Sequence, residues 1–227
     1  MVILRDEARF VLKNKLEVAV PLEVWEVEGE LTVRVWPRLK ALARKYLAIY
    51  KQDPFSEEAV RYLTEGGTPY LHKKGYHLDP AVERREHILY GSKEEQPIPY
   101  GIEVAPLSRE VIEQYENLTE YDLPLTLEAG ILAYVAIVEG KIVSIAATNE
   151  PLEEGQYATE IGVETAPAYR GKGYATACVK ALSWHLAKEN MDTEAHIECD
   201  NHASLAVFEK AGYTKAGRVF YLVGERI

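Results

Sequence analysis

The sequence predicts an α/β chain (α+β in the sense of a mixed sheet) in two parts: a smaller mixed α/β N-terminal domain over residues 1–96 and a larger, regular domain over 97–227. Three observations predict it. From residue 100 onward strand-like and helix-like stretches follow one another as β-α-β-β-β-α-β-α-β. The stretch KEEQPIPYG, stiffened by Pro97 and Pro99, reads as the passage between the parts. Charge also divides there: residues 1–96 hold 16 basic and 16 acidic side chains, and 97–227 hold 10 and 20, so the whole net charge of −10 lies in the second part.

The first part is irregular. RDEARFVLKNKL has helical spacing, and LEVWEVEGELTVRVW alternates as a strand pair turning at Glu28-Gly29. PRLKALARKYLAIYKQ opens with Pro37 in a first-turn position and continues as a helix. SEEAVRYLTEGG reads as a shorter helix with a Ser cap and a Gly-Gly stop. From Thr68 to Glu95 the chain is polar, without a motif that carries chemistry.

The second part is easier to read. IEVAPL is a strand, and SREVIEQYENLTEY a helix capped by Ser108, with Val111, Ile112 and Tyr115 along one side. GILAYVAIVEGKIVSIAATN is a hairpin joined at Glu139-Gly140. ATEIGVE is a strand, residues 171–190 a long helix, EAHIECD a strand, ASLAVFEKAGY a helix ending at Gly212, and RVFYLVG the closing strand.

Composition narrows the function. At 47% hydrophobic and 27% charged residues the 227-residue chain has globular proportions. No apolar run approaches the roughly 18 residues a membrane span requires, and MVILRDEARF carries acids where a secretory leader would be basic. These features predict a cytoplasmic protein without a membrane partner. The acidic second part disfavours nucleic acid and suits a cationic small molecule, although solubility accounts for the charge equally well. Cys178 and Cys199 form no disulfide framework or zinc spacing and read as small buried hydrophobes; no metal is expected.

The most informative stretch is AYRGKGYATA, residues 168–177. Glycines at 171 and 173 before a helix let an anion approach backbone N–H groups that have no helical partner, where the macrodipole contributes about half a positive charge. Arg170 and Lys172 add full charges. A polar turn that merely caps the helix is the alternative. The phosphate loop with a Lys-Ser/Thr ending does not fit, and Thr176 stands where a dinucleotide fingerprint needs its third glycine.

Two motifs, EIGVETAPAYRGKGYATA and NHASLAVFEKAGY, together resemble the GNAT superfamily of N-acetyltransferases over about residues 98–227. The long VETAPAYRG loop and the N-terminal part are similar to a two-part bacterial branch that includes a zwittermicin-resistance-type acetyltransferase. The resemblance implies a GNAT-like acyl-CoA N-acyltransferase domain with acetyl-CoA as cosubstrate. It implies splayed strands at 159–164 and 194–199, with the backbone of Ile161, Gly162 and Val163 holding the pantetheine arm. The amides and side chains of Arg170, Gly171, Lys172, Gly173, Tyr174 and Ala175 would take the pyrophosphate, and Asn201, Ser204 and Phe208 the pantetheine side. Asn201 reads equally well as a helix cap.

Acyl transfer to an amine needs a base, because an alkylammonium, with a pKa of about 10.4, has no lone pair to attack with. Glu160 and Glu164 share a strand face by the two-residue period. Glu160 resembles the catalytic glutamate of histone-acetylating members and is expected to be the base. Glu164 is the alternative base or a holder of the substrate's charge. Both also read as ordinary solvated strand residues. Phe208 stands where many members carry a proton-donating Tyr; Tyr213, Cys199 and His202 lie nearby, and Tyr213 reads as core. The expected function is transfer of an acetyl group to a small cationic amine in a direct ternary complex, with residues 1–96 in acceptor recognition and a homodimer left open. The competing function is an acetyl-CoA-binding module without turnover.

Overall fold

The computed structural model describes residues 2–6, 9–13, 16–77 and 84–226. The chain divides into two compact units, Met1–Ile88 with Ala216–Ile227, and Leu89–Lys215. Residues 216–227, read from the sequence with the second part, therefore group with the first.

The first unit contains strands β1 (Val2–Asp6), β2 (Arg9–Lys13), β3 (Leu16–Val27) and β4 (Glu30–Val35), helices α1 (Lys40–Tyr50) and α2 (Glu57–Lys73), and strand β5 (Tyr76–His77). The helix expected over RDEARFVLKNKL is replaced by strands. Residues 9–13 pair antiparallel with β3, and β1 runs parallel to β4, so sheet pairing overrides the local helical spacing. The hairpin at Glu28-Gly29 forms as the sequence predicts, with φ +51 and +79 at the two turn residues. Helix α2 starts at the Ser56 cap, whose hydroxyl accepts from the Ala59 N–H at 3.3 Å. It does not stop at Gly66-Gly67. A β-carbon there would collide with Leu42 or Leu222, so the two glycines provide close packing within a continuing helix. Leu22, Val24, Val33, Tyr46, Leu63, Leu71 and Phe220 form the core of this unit.

Strand β6 (Arg84–Tyr90) leads into the second unit, which continues with β7 (Glu103–Pro106), α3 (Arg109–Gln114), β8 (Glu116–Asn117), α4 (Leu123–Glu128), β9 (Ala133–Val138), β10 (Lys141–Thr148), β11 (Ala158–Thr165), α5 (Tyr174–Lys188), β12 (Asp192–Glu198) and α6 (His202–Lys210). Strand β13 (Thr214–Arg226) follows. Helix α3 ends sooner than SREVIEQYENLTEY suggests, because Tyr115 turns extended and Glu116–Asn117 pairs with β10. Helix α4 was not anticipated. Its signal was legible: Asp122 caps it, accepting from the Leu125 N–H at 3.0 Å, with Pro124 in the first turn.

The sheet of this unit runs β12-β11-β10-β9-β7. It is mixed: β11 and β12 are parallel, and the pairs β11–β10, β10–β9 and β9–β7 are antiparallel. Its two faces carry separate cores. Ala136, Val143, Ala146 and Ile161 pack with Cys178, Val179, Leu182 and Leu186 of α5, and with Leu205 and Phe208 of α6. Val135, Ile137, Ile145 and Ala147 point the other way and pack with Leu107, Leu123 and half-buried Val111, Ile112, Tyr115 and Tyr121. A fully buried aliphatic side chain contributes about 1.5–3 kcal/mol, so each face is anchored independently.

Candidate active site

Strand β11 is paired differently along its length. Toward β12 the register is Ala158↔Asp192, Thr159↔Thr193 and Glu160↔Glu194, and there it ends, although β11 continues to Thr165 and β12 to Glu198. On the opposite edge β10 stays paired from Ile161 through Thr165. The far end is pinned as well: the Ser144 hydroxyl lies 2.8 Å from both the Glu164 carbonyl and the Thr165 hydroxyl. Past Glu160, one backbone edge of β11 therefore opens onto a cleft.

The cleft has a volume of about 510 Å³. Its walls are the end of β11 (Val163, Glu164, Thr165), the turn and first residues of α5 (Arg170, Gly171, Gly173, Tyr174, Ala175), and α6 (Asn201, Ser204, Lys210). Gly173 is the N-cap of α5 at φ +89, ψ 0, a left-handed conformation that costs a residue with a β-carbon about 1–2 kcal/mol. It offers no side-chain cap. The first intrahelical bond is Ala177 N–H to Gly173 C=O at 3.0 Å, so the amides of 174–176 precede the ladder and have no helical acceptor. Arg170 donates from Nε to the Thr165 carbonyl at 3.1 Å, which fixes its guanidinium beside the strand end. In a chain of net charge −10, the cations in this wall and the orphan amides give this end of the cleft a local positive potential.

The other site residues named from the sequence divide by where they point. Asn201 caps α6, its side-chain oxygen accepting from the Ser204 N–H at 3.1 Å, and also lines the cleft, so both of its readings apply. Lys172 is not among the lining residues. Its Nζ folds back to donate to the Ala168 carbonyl at 3.3 Å and lies 5.1 Å above the Tyr169 ring. Phe208 is 2% exposed and stands edge-on to Tyr213 at 4.9 Å, facing the core. Tyr213 is held between Ser183 (2.8 Å) and Thr193 (2.9 Å) and is 3% exposed; burial raises its pKa. Its phenol is thus a structural group. Ile161 is 3% exposed and packs toward α5.

Glu160, Gly162 and Glu164 occupy the opposite face of β11 from Ile161. Here the chain brings in part of the 117–130 loop, which the resemblance associates with acceptor specificity but which carries no readable motif. The Glu164 carboxylate accepts from the Glu120 N–H at 3.0 and 3.2 Å. The place that a Gly162 β-carbon would take lies 3.0 Å from Asn149 Oδ1 and 3.3 Å from the Tyr121 hydroxyl. Glycine at 162 thus admits a phenol and an amide over the strand. Burial first, and then the Glu164 carboxylate, raise the Tyr121 pKa, so the phenol stays protonated. Lys210 was also missed; it follows Phe208-Glu209 in the quoted motif, and its position on the last turn of α6 brings it to the cleft.

Among the described residues no helix is long and apolar enough to cross a membrane, and no group of three or more His, Cys, Asp or Glu could hold a metal ion.

Residues 97–213 match the model of the acetyltransferase (GNAT) family. No curated protein matches the chain. Among solved structures, a protein assigned to the GNAT acetyltransferase family from Novosphingobium aromaticivorans aligns at TM-score 0.51 and 17% identity, covering 67% of this chain and 69% of its own. A GCN5-related N-acetyltransferase-like protein from Streptococcus suis gives 0.47 and 14%, covering 96% and 88%. A GCN5-related N-acetyltransferase from Kribbella flavida gives 0.47 and 17%, covering 76% and 74%. At such identities the first of these supports the fold, and the family model supplies the assignment. The mixed α/β domain with an interrupted parallel pair is the fold of an acetyltransferase. The chain belongs to the GNAT acetyltransferase family.

Proposed function

We propose that this protein uses acetyl-CoA to acetylate the amine of a small cationic acceptor in the cytoplasm, by direct transfer within a ternary complex. The observation that carries this reading is the convergence, in one cleft, of an unpaired strand edge, a helix N-terminus with orphan amides, and Arg170 and Lys210. An unpaired strand edge suits an amide-bearing arm, which can add to it like another strand, and a cationic helix start suits a diphosphate. The residues thus fit coenzyme A, whose thioester supplies the activated acyl group.

In this reading the amides of residues 171–176 and the Arg170 side chain hold the diphosphate, the backbone of Ile161, Gly162 and Val163 holds the arm, and Asn201 and Ser204 line its far side. Glu160 removes the proton from the acceptor ammonium, directly or through water, which frees the lone pair. The C–N bond then forms, the C–S bond breaks with its electron pair leaving on sulfur, and the nitrogen gives up its second proton to solvent to leave the neutral amide. Glu164, oriented by the Glu120 amide, attracts the acceptor's charge. Residues 1–96 serve acceptor recognition.

Calorimetric titration with acetyl-CoA, followed by thiol release against a panel of amines, tests the proposal. Saturable binding and turnover that collapses in Glu160→Gln are expected. Binding without turnover on every amine would reduce the protein to a cofactor-binding module.

A further inference from the structure

Acyl transfer from a thioester builds negative charge as the C–S bond breaks, and a preorganised donor aimed at that charge is worth more than one recruited from water. The buried phenol of Tyr213 is committed to Ser183 and Thr193, and Phe208 has no hydroxyl. The Tyr121 hydroxyl differs from both. It sits over Gly162, two residues beyond Glu160, where β11 has parted from β12. Among the described residues it has no hydrogen-bond partner, although the side chain is half-buried. The hydroxyl is therefore free to donate to a group bound beside Gly162.

Its position is also fixed from several sides. The ring packs with the core formed by Leu107, Leu123, Val135 and Ile145. The Tyr121 carbonyl accepts from the Asn117 side-chain amide at 2.9 Å. On either side of it, the Glu120 N–H is tied to the Glu164 carboxylate and the Asp122 side chain caps α4. The phenol is therefore presented by a loop clamped to the very strand it overhangs.

We propose that Tyr121 is a catalytic residue of this acetyltransferase, its hydroxyl donating a hydrogen bond to the negative charge that develops on the thioester during transfer. The step balances without proton loss from the phenol. One ammonium proton passes to Glu160, the C–N bond forms, and the C–S electron pair leaves on sulfur under the Tyr121 hydrogen bond. The second N–H proton leaves the cationic nitrogen to solvent as the neutral amide forms; solvent protonates the thiolate. The raised pKa of Tyr121 agrees with this role, since a phenol that is a weaker acid than a thiol donates a hydrogen bond and retains its proton. The inference rests on the acetyl-CoA reading above.

The test compares wild type, Tyr121→Phe and a chain carrying 3-fluorotyrosine at position 121. Acetyl-CoA binding is read by calorimetry, and kcat and KM by thiol release with the best amine of the panel. The expected result for Tyr121→Phe is an acetyl-CoA Kd and KM within about 2-fold of wild type and a kcat lower by about 100-fold, the scale of losing one preorganised donor. The fluorinated phenol is a stronger donor of nearly the same size, and its kcat is expected to exceed that of wild type below the pH at which it ionises. Tyr121→Phe with kcat within 3-fold of wild type, or a loss confined to KM, overturns the proposal. An unchanged or lower kcat with fluorotyrosine overturns it too, and does so even if the Phe variant folds poorly. A wild type that fails to bind acetyl-CoA brings down the functional reading itself, whereas a wild type that turns over and ignores the Tyr121 changes brings down this inference alone.

Discussion

Strand β11 contains two regions that differ in what their backbone does. In its first half, residues 158–160 are closed on the β12 side by parallel pairing, and Thr193 of that pair anchors the hydroxyl of Tyr213. In its second half, residues 161–165 keep β10 on one edge and open to the cleft on the other. The local sequence is similar in character across the junction, so what separates structure from function is the loss of a neighbour rather than a change of residue type. Backbone groups that lose their ladder need other partners, and the proposed reading assigns the second half to the acetyl-CoA arm.

The comparison can be broken hardest at the junction. Glu160→Gln removes the proposed base while leaving the pairing intact. Thiol-release assays should show kcat reduced by about 10²–10⁴-fold with acetyl-CoA affinity preserved. The open half is attacked next by Gly173→Glu, which places a β-carbon at φ +89 and a carboxylate at the proposed diphosphate position. Calorimetry should report acetyl-CoA affinity weaker by roughly 100-fold, while unaltered affinity would show that the cleft does not bind a diphosphate.

Gly162→Ala sharpens the contrast on the face of β11 that meets Tyr121. Its β-carbon would meet Asn149 at 3.0 Å and the Tyr121 hydroxyl at 3.3 Å, so one or both must move. Turnover should fall by about 10-fold with acetyl-CoA binding retained, because a small misplacement of reacting groups is enough. In the closed half, Tyr213→Phe leaves Ser183 and Thr193 without their shared partner. It should cost about 1–2 kcal/mol in denaturant unfolding without changing kcat per folded molecule. The smallest effect at neutral pH belongs to Cys178, whose thiol burial pushes up to about 12 from 9.0. The folded chain therefore holds this proton more tightly than the unfolded one. The contribution is complete below pH 9 and is lost as pH rises toward 12, at about 1.4 kcal/mol per pH unit. Unfolding at pH 8 and 10.5 should show a steeper alkaline loss in wild type than in Cys178→Ala.

Legibility in the sequence follows the same division between local and distant causes. The hairpin at Glu139-Gly140, the helix after AYRGKG and the cap at Asn201 are written in adjacent residues, and all three form. The first unit was harder to read. Residues 9–13 become a strand because β3 lies beside them, and Gly66-Gly67 stays helical because Leu42 and Leu222 press against it. Neither neighbour is visible from the local pattern. The site shows the same limit. Arg170, Gly171, Gly173 and Asn201 could be found by motif, whereas the turning-in of Lys172 and Phe208 and the arrival of Tyr121 over Gly162 depend on contacts between residues far apart in the chain.

The most direct test is isothermal titration of acetyl-CoA into wild-type protein and into Gly173→Glu, in the same buffer. The account predicts saturable one-site heat for the wild type and a curve shifted to much weaker affinity for the variant. Absence of heat with wild type, or superimposable curves for the two proteins, would contradict it.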